Sequence, residues 1–423
     1  MTDYRHLDAR ELDGRRAEWM ARYQEFQSRN LKIDMTRGKP SPEQLDLSME
    51  MLTCVDADHY QTEDGMDCRN YGGLDGIPEA KRLFARYLEV KPDEIIVGGN
   101  ASLNVMYDVI LRAMVLGVVN SDVPWGKLPT VKFVCPCPGY DRHFAICEHL
   151  GIEMIPVEMG VDGPDMDAVE EIVARDGSVK GIWCVPKYSN PTGVTFSDQV
   201  VERLATMETQ AGDFRIFWDN AYTVHHLTDT PDRLSNMLDA CKRAGNPERV
   251  LIFGSTSKVS FAGAGLAMMG GSKKNIEFVK KQMAIQTIGP DKLSQLRHVR
   301  FFGDLAGIEA HMKKHAAILK PKFDAVLDVF EKELDQGIAK WSRPNGGYFI
   351  SLNTLDGCAK AVVSMAAEAG VKLTAAGATF PYRNDPRDRN IRIAPSFPSI
   401  EEIRLAMELV SVCIRLASMD RLR

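Results

Sequence analysis

No stretch of about 18 consecutive apolar residues occurs in the sequence, so a membrane-spanning helix is not expected. Positive charge is not in excess: 52 lysines and arginines against 58 aspartates and glutamates give a net charge of −6. A nucleic-acid binder more often carries a basic stripe, and none is present. The nine cysteines are too few and too scattered for a disulfide framework, and their number is odd. Cys135 and Cys137 form a single C-x-C. A metal site would want a second such pair, so no metal is expected and the thiols read as reduced and mostly buried. The opening MTDYRHLDARELDG mixes both charge signs without an apolar core, so it does not read as a secretory signal. There is no internal repeat and no low-complexity tail. These absences point to a cytoplasmic protein with neither a nucleic-acid nor a membrane partner.

What is present is an ordinary globular composition, 44% hydrophobic and 26% charged. A chain of 423 residues exceeds one simple core, so more than one domain is expected. Trp19, Met20, Tyr23 and Phe26 recur at helical spacing and predict an amphipathic helix from Asp8 to Asn30. A Gly/Pro-punctuated loop follows, MTRGKPSPEQLDLS (35–48). Short apolar runs then alternate with helical segments. The expected strands are Ile95–Val97, Val131–Cys135, Met154–Val157, Gly181–Val185, Ile216–Trp218, Val250–Phe253 and Leu266–Met269. Such alternation implies an α/β fold with a mainly parallel, seven-stranded sheet covered on both faces. A long helical segment is expected at Glu309–Leu334. GGYFISL (346–352) and NIRIA (390–394) read as strands of a smaller α+β domain. Ser399 and Glu402 make a capping box for a final amphipathic helix. The expected division is 1–55 for an N-terminal helix and loop packing with the small domain, 56–310 for the large domain and 311–423 for the small one.

In open α/β sheets ligands bind beyond the carboxyl ends of the strands, so the residues after each run deserve inspection. IIV leads into GGNASLNVMYDVI, where N–H groups at Asn100, Ala101 and Ser102 would open a helix and suit a phosphate. VKFVC leads to Tyr140, GIWCV to Asn190, IFW to Asp219 and Tyr222, and VLIF to Ser255 and Lys258. Read singly, each has a plain structural alternative: Asp219 as a helix cap, Asn190 as a turn residue beside Pro191, Tyr140 as packing, Lys258 as a loop lysine reaching water. Five consecutive strand ends with suitable side chains fit one planar, phosphorylated, carbonyl-bearing ligand better than five coincidences. Pyridoxal 5′-phosphate closes the chemistry. Lys258 would form the Schiff base, and Asp219 would keep the pyridine nitrogen protonated.

The ordered set Y-x-x-x-x-G (Tyr71 to Gly76), the phosphate loop, the aromatic, SNPTG, D-x-A-Y, S-x-S-K and a late arginine resembles the fold-type I aminotransferases. More narrowly, TRGKPSPEQLDLS, RNYGGLDG and IRIAPSFPS are similar to the bacterial aspartate aminotransferases of type Ic, over almost the whole chain. The resemblance implies roles residue by residue. Lys258 is the Schiff-base lysine and proton carrier. Asp219 pairs with the pyridinium nitrogen. Asn190 and Tyr222 bond the ring 3′-oxygen, and Tyr140 stacks on the ring. Ser255, Ser102 and the N–H groups near Asn100 and Ala101 bind the phosphate. Tyr71 reaches the phosphate of a neighbouring subunit, which implies a homodimer with shared active sites. Arg392 grips the substrate α-carboxylate and Gly38 lines it.

One feature departs from that pattern. Most of these enzymes carry a phosphate-binding arginine seven or eight residues after the lysine, and here those positions are Gly265 and Leu266. The expected reaction moves an amino group from aspartate to 2-oxoglutarate by a ping-pong mechanism. A dicarboxylic substrate needs a second cation, for which Arg37 and Lys39 are the candidates; both also read as solvated loop residues. Three alternatives stay open: an alanine or aromatic amino donor, a pyridoxal-phosphate lyase on the same scaffold, and a cofactor-sensing regulator. The acidic chain weighs against the last. A dinucleotide site is disfavoured because GAGLAMMGG does not fit G-x-G-x-x-G.

Overall fold

The apolar runs become strands in the computed structural model, which describes residues 9–334 and 337–423. In chain order the strands are β1 (Ile33–Met35), β2 (Ile95–Val97), β3 (Lys132–Cys137), β4 (Glu153–Glu158), β5 (Val179–Cys184) and β6 (Arg215–Asp219). They continue as β7 (Val250–Ser255), β8 (Ala267–Gly271), β9 (Ala339–Trp341), β10 (Ile350–Thr354), β11 (Val371–Leu373) and β12 (Asn390–Ile393). Seven of them form one sheet in the order β2-β8-β7-β6-β5-β3-β4. Neighbours from β4 through β7 pair in parallel. Only β8 runs antiparallel, to β2 and to β7. Every residue of β5, β6 and β7 is buried, which is why these strands are continuous apolar runs rather than alternating ones.

The topology places the crevice. From β3 the chain steps outward to β4, then returns across β3 to β5 and continues through β6 and β7. The carboxyl ends of β3, β5, β6 and β7 therefore flank a switch point, where a ligand fits outside the sheet.

A second sheet, β12-β10-β9, is antiparallel, and β1 pairs in parallel with β11. The β1–β11 pairing brings the N-terminal segment to the C-terminal elements. The helix Ala9–Ser28 goes with it: Tyr23 and Phe26 share one apolar core with Val362, Leu409 and Cys413. Tyr23 Oη also donates to Met365 O at 2.9 Å. No helix among the described residues is long and apolar enough to cross a membrane.

Element boundaries differ from expectation for local reasons. The first helix ends at Ser28 because Asn30 takes a left-handed φ of 51°; the expected start, Asp8, lies outside the described residues. The long helix starts at Leu305 rather than Glu309, since Asp304 caps it by accepting from Gly307 N. GGYFISL is a strand only from Ile350. Gly346 and Gly347 lie instead against His225 and Tyr188, so closely that a Cβ at Gly346 would sit 2.4 Å from His225 O. The Ser399–Glu402 capping box is formed, at the start of the helix Ile400–Leu422.

Candidate active site

A cavity of about 500 Å³ opens at the switch point. Arg37, Gly38, Lys39, Ser102, Tyr140, Asn190, Asp219, Tyr222, Lys258 and Arg392 all line it. They arrive from five strand ends, from the loop after β1 and from β12. Four other expected residues do not line it: Asn100, Ala101, Ser255 and Tyr71.

Lys258 sits in a turn just past β7, half-buried and opening onto the cavity. Its Nζ stands 5.3 Å from the ring centre of Tyr222 and 5.9 Å from that of Tyr348. Loss of hydration lowers its amine below the ordinary lysine range, with the charge of Asp219 opposing. A lysine in that condition reaches its neutral, nucleophilic form more readily.

Asp219, the last residue of β6, is 3% exposed. His143 Nε2 donates to its Oδ2 at 3.0 Å, and Trp183 stacks on the His143 ring at 4.0 Å. The other oxygen, Oδ1, is buried without a partner among the described residues. A buried carboxylate oxygen left unpaired is costly, so this position suits a hydrogen-bond donor from a bound group. Tyr222 is 3% exposed, and burial raises its phenol well above the usual value, so it stays protonated. Tyr140 precedes the helix Asp141–His149 and meets the His143 ring edge-on at 4.9 Å.

Arg392 is 5% exposed on β12. Its Nη1 donates to Asp141 Oδ1 at 2.8 Å and to Asn190 Oδ1 at 3.3 Å. Nη2 donates to Thr374 Oγ1 at 3.4 Å, while Nε is buried and without a partner among the described residues. The guanidinium lies over Phe349, 4.9 Å from the ring centre. Gly38 permits this arrangement, because a Cβ there would meet Phe349 Cζ at 2.6 Å.

Ser102 opens the helix Ser102–Leu116, which presents its N–H groups to the cavity end. Asn100 is engaged elsewhere: Oδ1 accepts from Gly265 N at 2.7 Å and Nδ2 donates to Ala262 O at 3.4 Å. A Cβ at Gly265 would lie 3.1 Å from Thr256 Oγ1 and from Phe261 O, a tight fit that would ask these neighbours to yield by a few tenths of an ångström. Ser255 is buried at the end of β7, and Leu266 is 2% exposed. Lys39 is exposed, with Nζ 3.8 Å from the centre of the Phe397 ring. Arg37 is exposed on the cavity wall and has no ion pair among the described residues. Tyr71 is 81% exposed.

The strand-end reading does not reach His143, Asp141, Phe349 and Thr374, which also stand at the site. His143 and Asp141 follow Tyr140 so closely that the strand-end rule extended by one helical turn would have reached them. Phe349 and Thr374 carry no local signal.

A half-buried lysine stripped of hydration and a buried carboxylate with one oxygen unpartnered among the described residues, on a cation-lined cavity beyond a doubly wound sheet, define an α/β enzyme of amine chemistry. The comparisons make this specific. The aspartate aminotransferase family model matches residues 7–423. The chain belongs to that family, with the fold-type I architecture, and is a transaminase. An aspartate aminotransferase of Corynebacterium glutamicum is 48% identical over 400 residues, covering 94% of this chain and 92% of the relative. The crystal structure of an aspartate transaminase from Corynebacterium glutamicum superposes with a TM-score of 0.97 at 46% identity, covering 100% of both chains. An α-aminoadipate aminotransferase of Thermus thermophilus, complexed with N-(5′-phosphopyridoxyl)-L-leucine, shares the fold at 19% identity. Its TM-score is 0.74, and 96% of this chain and 98% of that one are covered.

Proposed function

We propose that this chain is a pyridoxal 5′-phosphate-dependent aminotransferase that takes the amino group of aspartate and passes it to 2-oxoglutarate in two half-reactions. The observation that carries the cofactor is Asp219 Oδ1, buried and unpartnered on the wall that also holds Lys258. A protonated pyridine nitrogen is the donor it lacks. The bound cofactor would supply an electron sink for the charge left at the substrate α-carbon.

The chain's own residues do the rest. Asp219, held by His143, keeps the ring nitrogen protonated. Asn190 and Tyr222 bond the ring oxygen, and Tyr140 covers a ring face. Ser102, with the N–H groups at Asn100 and Ala101, takes the phosphate, assisted by Ser255. Lys258 would hold the cofactor covalently and, once released, would move the α-proton on its Nζ. Arg392 binds the α-carboxylate, with Gly38 beside it.

The dicarboxylate reading rests on the charge of the cavity. Arg37, Lys39, Arg142, Lys258, Arg383 and Arg392 line it against Asp141, Glu148 and Asp219, in a chain that is acidic as a whole. Such a wall attracts a substrate with two carboxylates and a phosphorylated cofactor. Arg37 and Lys39 are the candidates for the distal carboxylate.

A homodimer completes the reading. Tyr71, Val115, Ile285 and Ile288 are 81%, 60%, 91% and 63% exposed. They lie near one another, because Arg112 beside Val115 bonds Gln286, and Gly289 abuts the Gly72 backbone. An exposed apolar patch around the tyrosine expected to reach a second site fits a partner copy. We also divide the chain as 1–55, 56–310 and 311–423, and assign it to the cytoplasm, where nine free cysteines stay reduced.

A panel of amino donors tested with 2-oxoglutarate checks the substrate. Aspartate should exceed alanine and phenylalanine at least about tenfold in kcat/KM, the value of one extra charge-assisted contact. Equal rates with alanine would remove the dicarboxylate reading. Repeated turnover of serine or cysteine to pyruvate and ammonia without any oxo acid would make the protein a lyase.

A further inference from the structure

The segment that carries Lys258, residues 256–266, belongs to no strand or helix. Among the described residues, the carbonyls of Lys258 and Val259 accept no backbone N–H. Each meets an imidazole instead. His225 Nε2 donates to Lys258 O at 3.4 Å, and His311 Nε2 donates to Val259 O at 2.9 Å. A third imidazole holds the flanks. His298 Nδ1 donates to Ser294 O at 2.7 Å, which leaves Nε2 as an acceptor. That Nε2 accepts from Ser260 Oγ at 2.8 Å and stands 3.0 Å from Thr256 Oγ1. The three histidines are 2%, 0% and 4% exposed for His225, His298 and His311. They come from the loop after β6, the helix Lys292–Phe302 and the helix Leu305–Glu333.

His311 is itself backed. The His315 ring packs edge-on against it, centres 4.8 Å apart, and Gln44 Nε2 donates to His315 Nδ1 at 3.0 Å. The same Gln44 nitrogen donates to Tyr348 Oη at 2.9 Å, while its Oε1 accepts from Ser41 N at 3.1 Å. Every hydrogen-bonding group of that amide is used, so its orientation is fixed. Tyr348 is one of the two rings around Lys258 Nζ.

The geometry points to His225, His298 and His311 as positioning residues for Lys258, a buried imidazole clamp that fixes the lysine's backbone while its Nζ is free of the cofactor. The inference rests on the reading of Lys258 given above. A flexible side chain that must swing away and return needs a fixed origin, because a misplacement of about 1 Å can cost roughly 100-fold in rate. No strand or helix supplies that origin here. Imidazole suits the task because one ring offers a donor and an acceptor without a charge. Burial holds His298 and His315 down to about 4 and lowers His311 as well. The clamp therefore puts no positive charge beside an amine that has to lose its proton.

Three variants test it. H311L removes the donor and keeps the bulk, and H311Q keeps an N–H at the reach of Nε2. S260A cuts the tie to His298 for the loss of one oxygen, and stands in if H311L does not fold. Two readouts are taken: kcat and KM per cofactor-loaded site, and the rate at which cofactor-free protein develops a visible absorbance band with pyridoxal phosphate. H311L should lose about 10–100-fold in kcat, with KM for aspartate within about threefold, and develop the band about tenfold more slowly. H311Q should recover both to within about threefold, and S260A should lose about 3–10-fold in kcat. A folded H311L or S260A that matches wild type in both readouts overturns the clamp. So does an H311Q as impaired as H311L. A wild-type protein that never develops the band overturns the reading of Lys258, and the clamp with it.

Discussion

Arg392 already has a carboxylate partner in the free enzyme, and a substrate carboxylate has to share or replace it. Asp141 Oδ1 accepts from Nη1 at 2.8 Å, Arg392 is buried, and about a third of the Asp141 side chain, 33%, faces solvent. A charge-assisted hydrogen bond contributes about 1.5–3 kcal/mol, and partial exposure puts this one at the lower end. D141N keeps an acceptor oxygen in place and removes the charge. The free protein should lose about 1.5 kcal/mol, lowering Tm by on the order of 1–2 °C. Substrate binding no longer competes with Asp141, so the same energy reappears as affinity, and KM for aspartate and for 2-oxoglutarate should fall about tenfold. Steady-state kinetics and thermal unfolding with and without succinate read both sides of this balance. An unchanged KM would mean that the ion pair survives binding. A raised KM would refute the reasoning outright, because Asp141 would then be assisting the substrate.

Three further outcomes follow from the site. In G38A the added Cβ would lie 2.6 Å from Phe349 Cζ, beneath the Arg392 guanidinium. Overpacking should cost about 1–3 kcal/mol in urea unfolding and raise KM about tenfold; a wild-type KM would mean that Phe349 does not hold Arg392. D219N removes a buried charge with one unpartnered oxygen, so the cofactor-free protein should be at least as stable as wild type. The loaded enzyme should nonetheless lose about 100-fold or more in kcat, and loss of both stability and activity would make Asp219 structural. Burial lowers the Lys258 amine, so the folded cofactor-free protein is penalised while that amine is charged. As pH rises from the lowered folded value to the ordinary lysine value, the folded state releases its proton before the unfolded chain does and the penalty fades. Lys258→Met should therefore be more stable than wild type near pH ~7, with the gap closing near pH ~10 in urea midpoints; a widening gap contradicts this.

The readable part of this protein was the part written in continuous apolar runs. β5, β6 and β7 are buried on both faces, so their sequences announce strands, and the residues after them fall at the crevice by topology. Asp219, Tyr222, Lys258, Asn190 and Tyr140 could be found in this way, and the structure gathers them on one cavity. β1 and β11 are three residues each and pair with one another, Ile33 with Val371, beyond the reach of any local pattern; β9, also three residues, pairs with the nearby β10. Thr374 follows β11, and Phe349 precedes β10, which pairs with β12, so both meet Arg392 only in the folded chain. His311 and His315 stand at helical spacing in HMKKHAAIL. Their meeting with Gln44 and Val259 is a product of packing between distant segments, and no spacing rule encodes it.

The central claim is that Lys258 holds the cofactor in a transaminase that prefers a dicarboxylate. The most direct test is the absorbance spectrum of the purified protein loaded with pyridoxal phosphate, recorded before and after aspartate, then after 2-oxoglutarate. The account predicts a visible band that aspartate abolishes, in favour of a pyridoxamine-like band at shorter wavelength, and that 2-oxoglutarate restores. A band indifferent to aspartate would contradict the substrate. The absence of any band after loading would contradict the role of Lys258 itself.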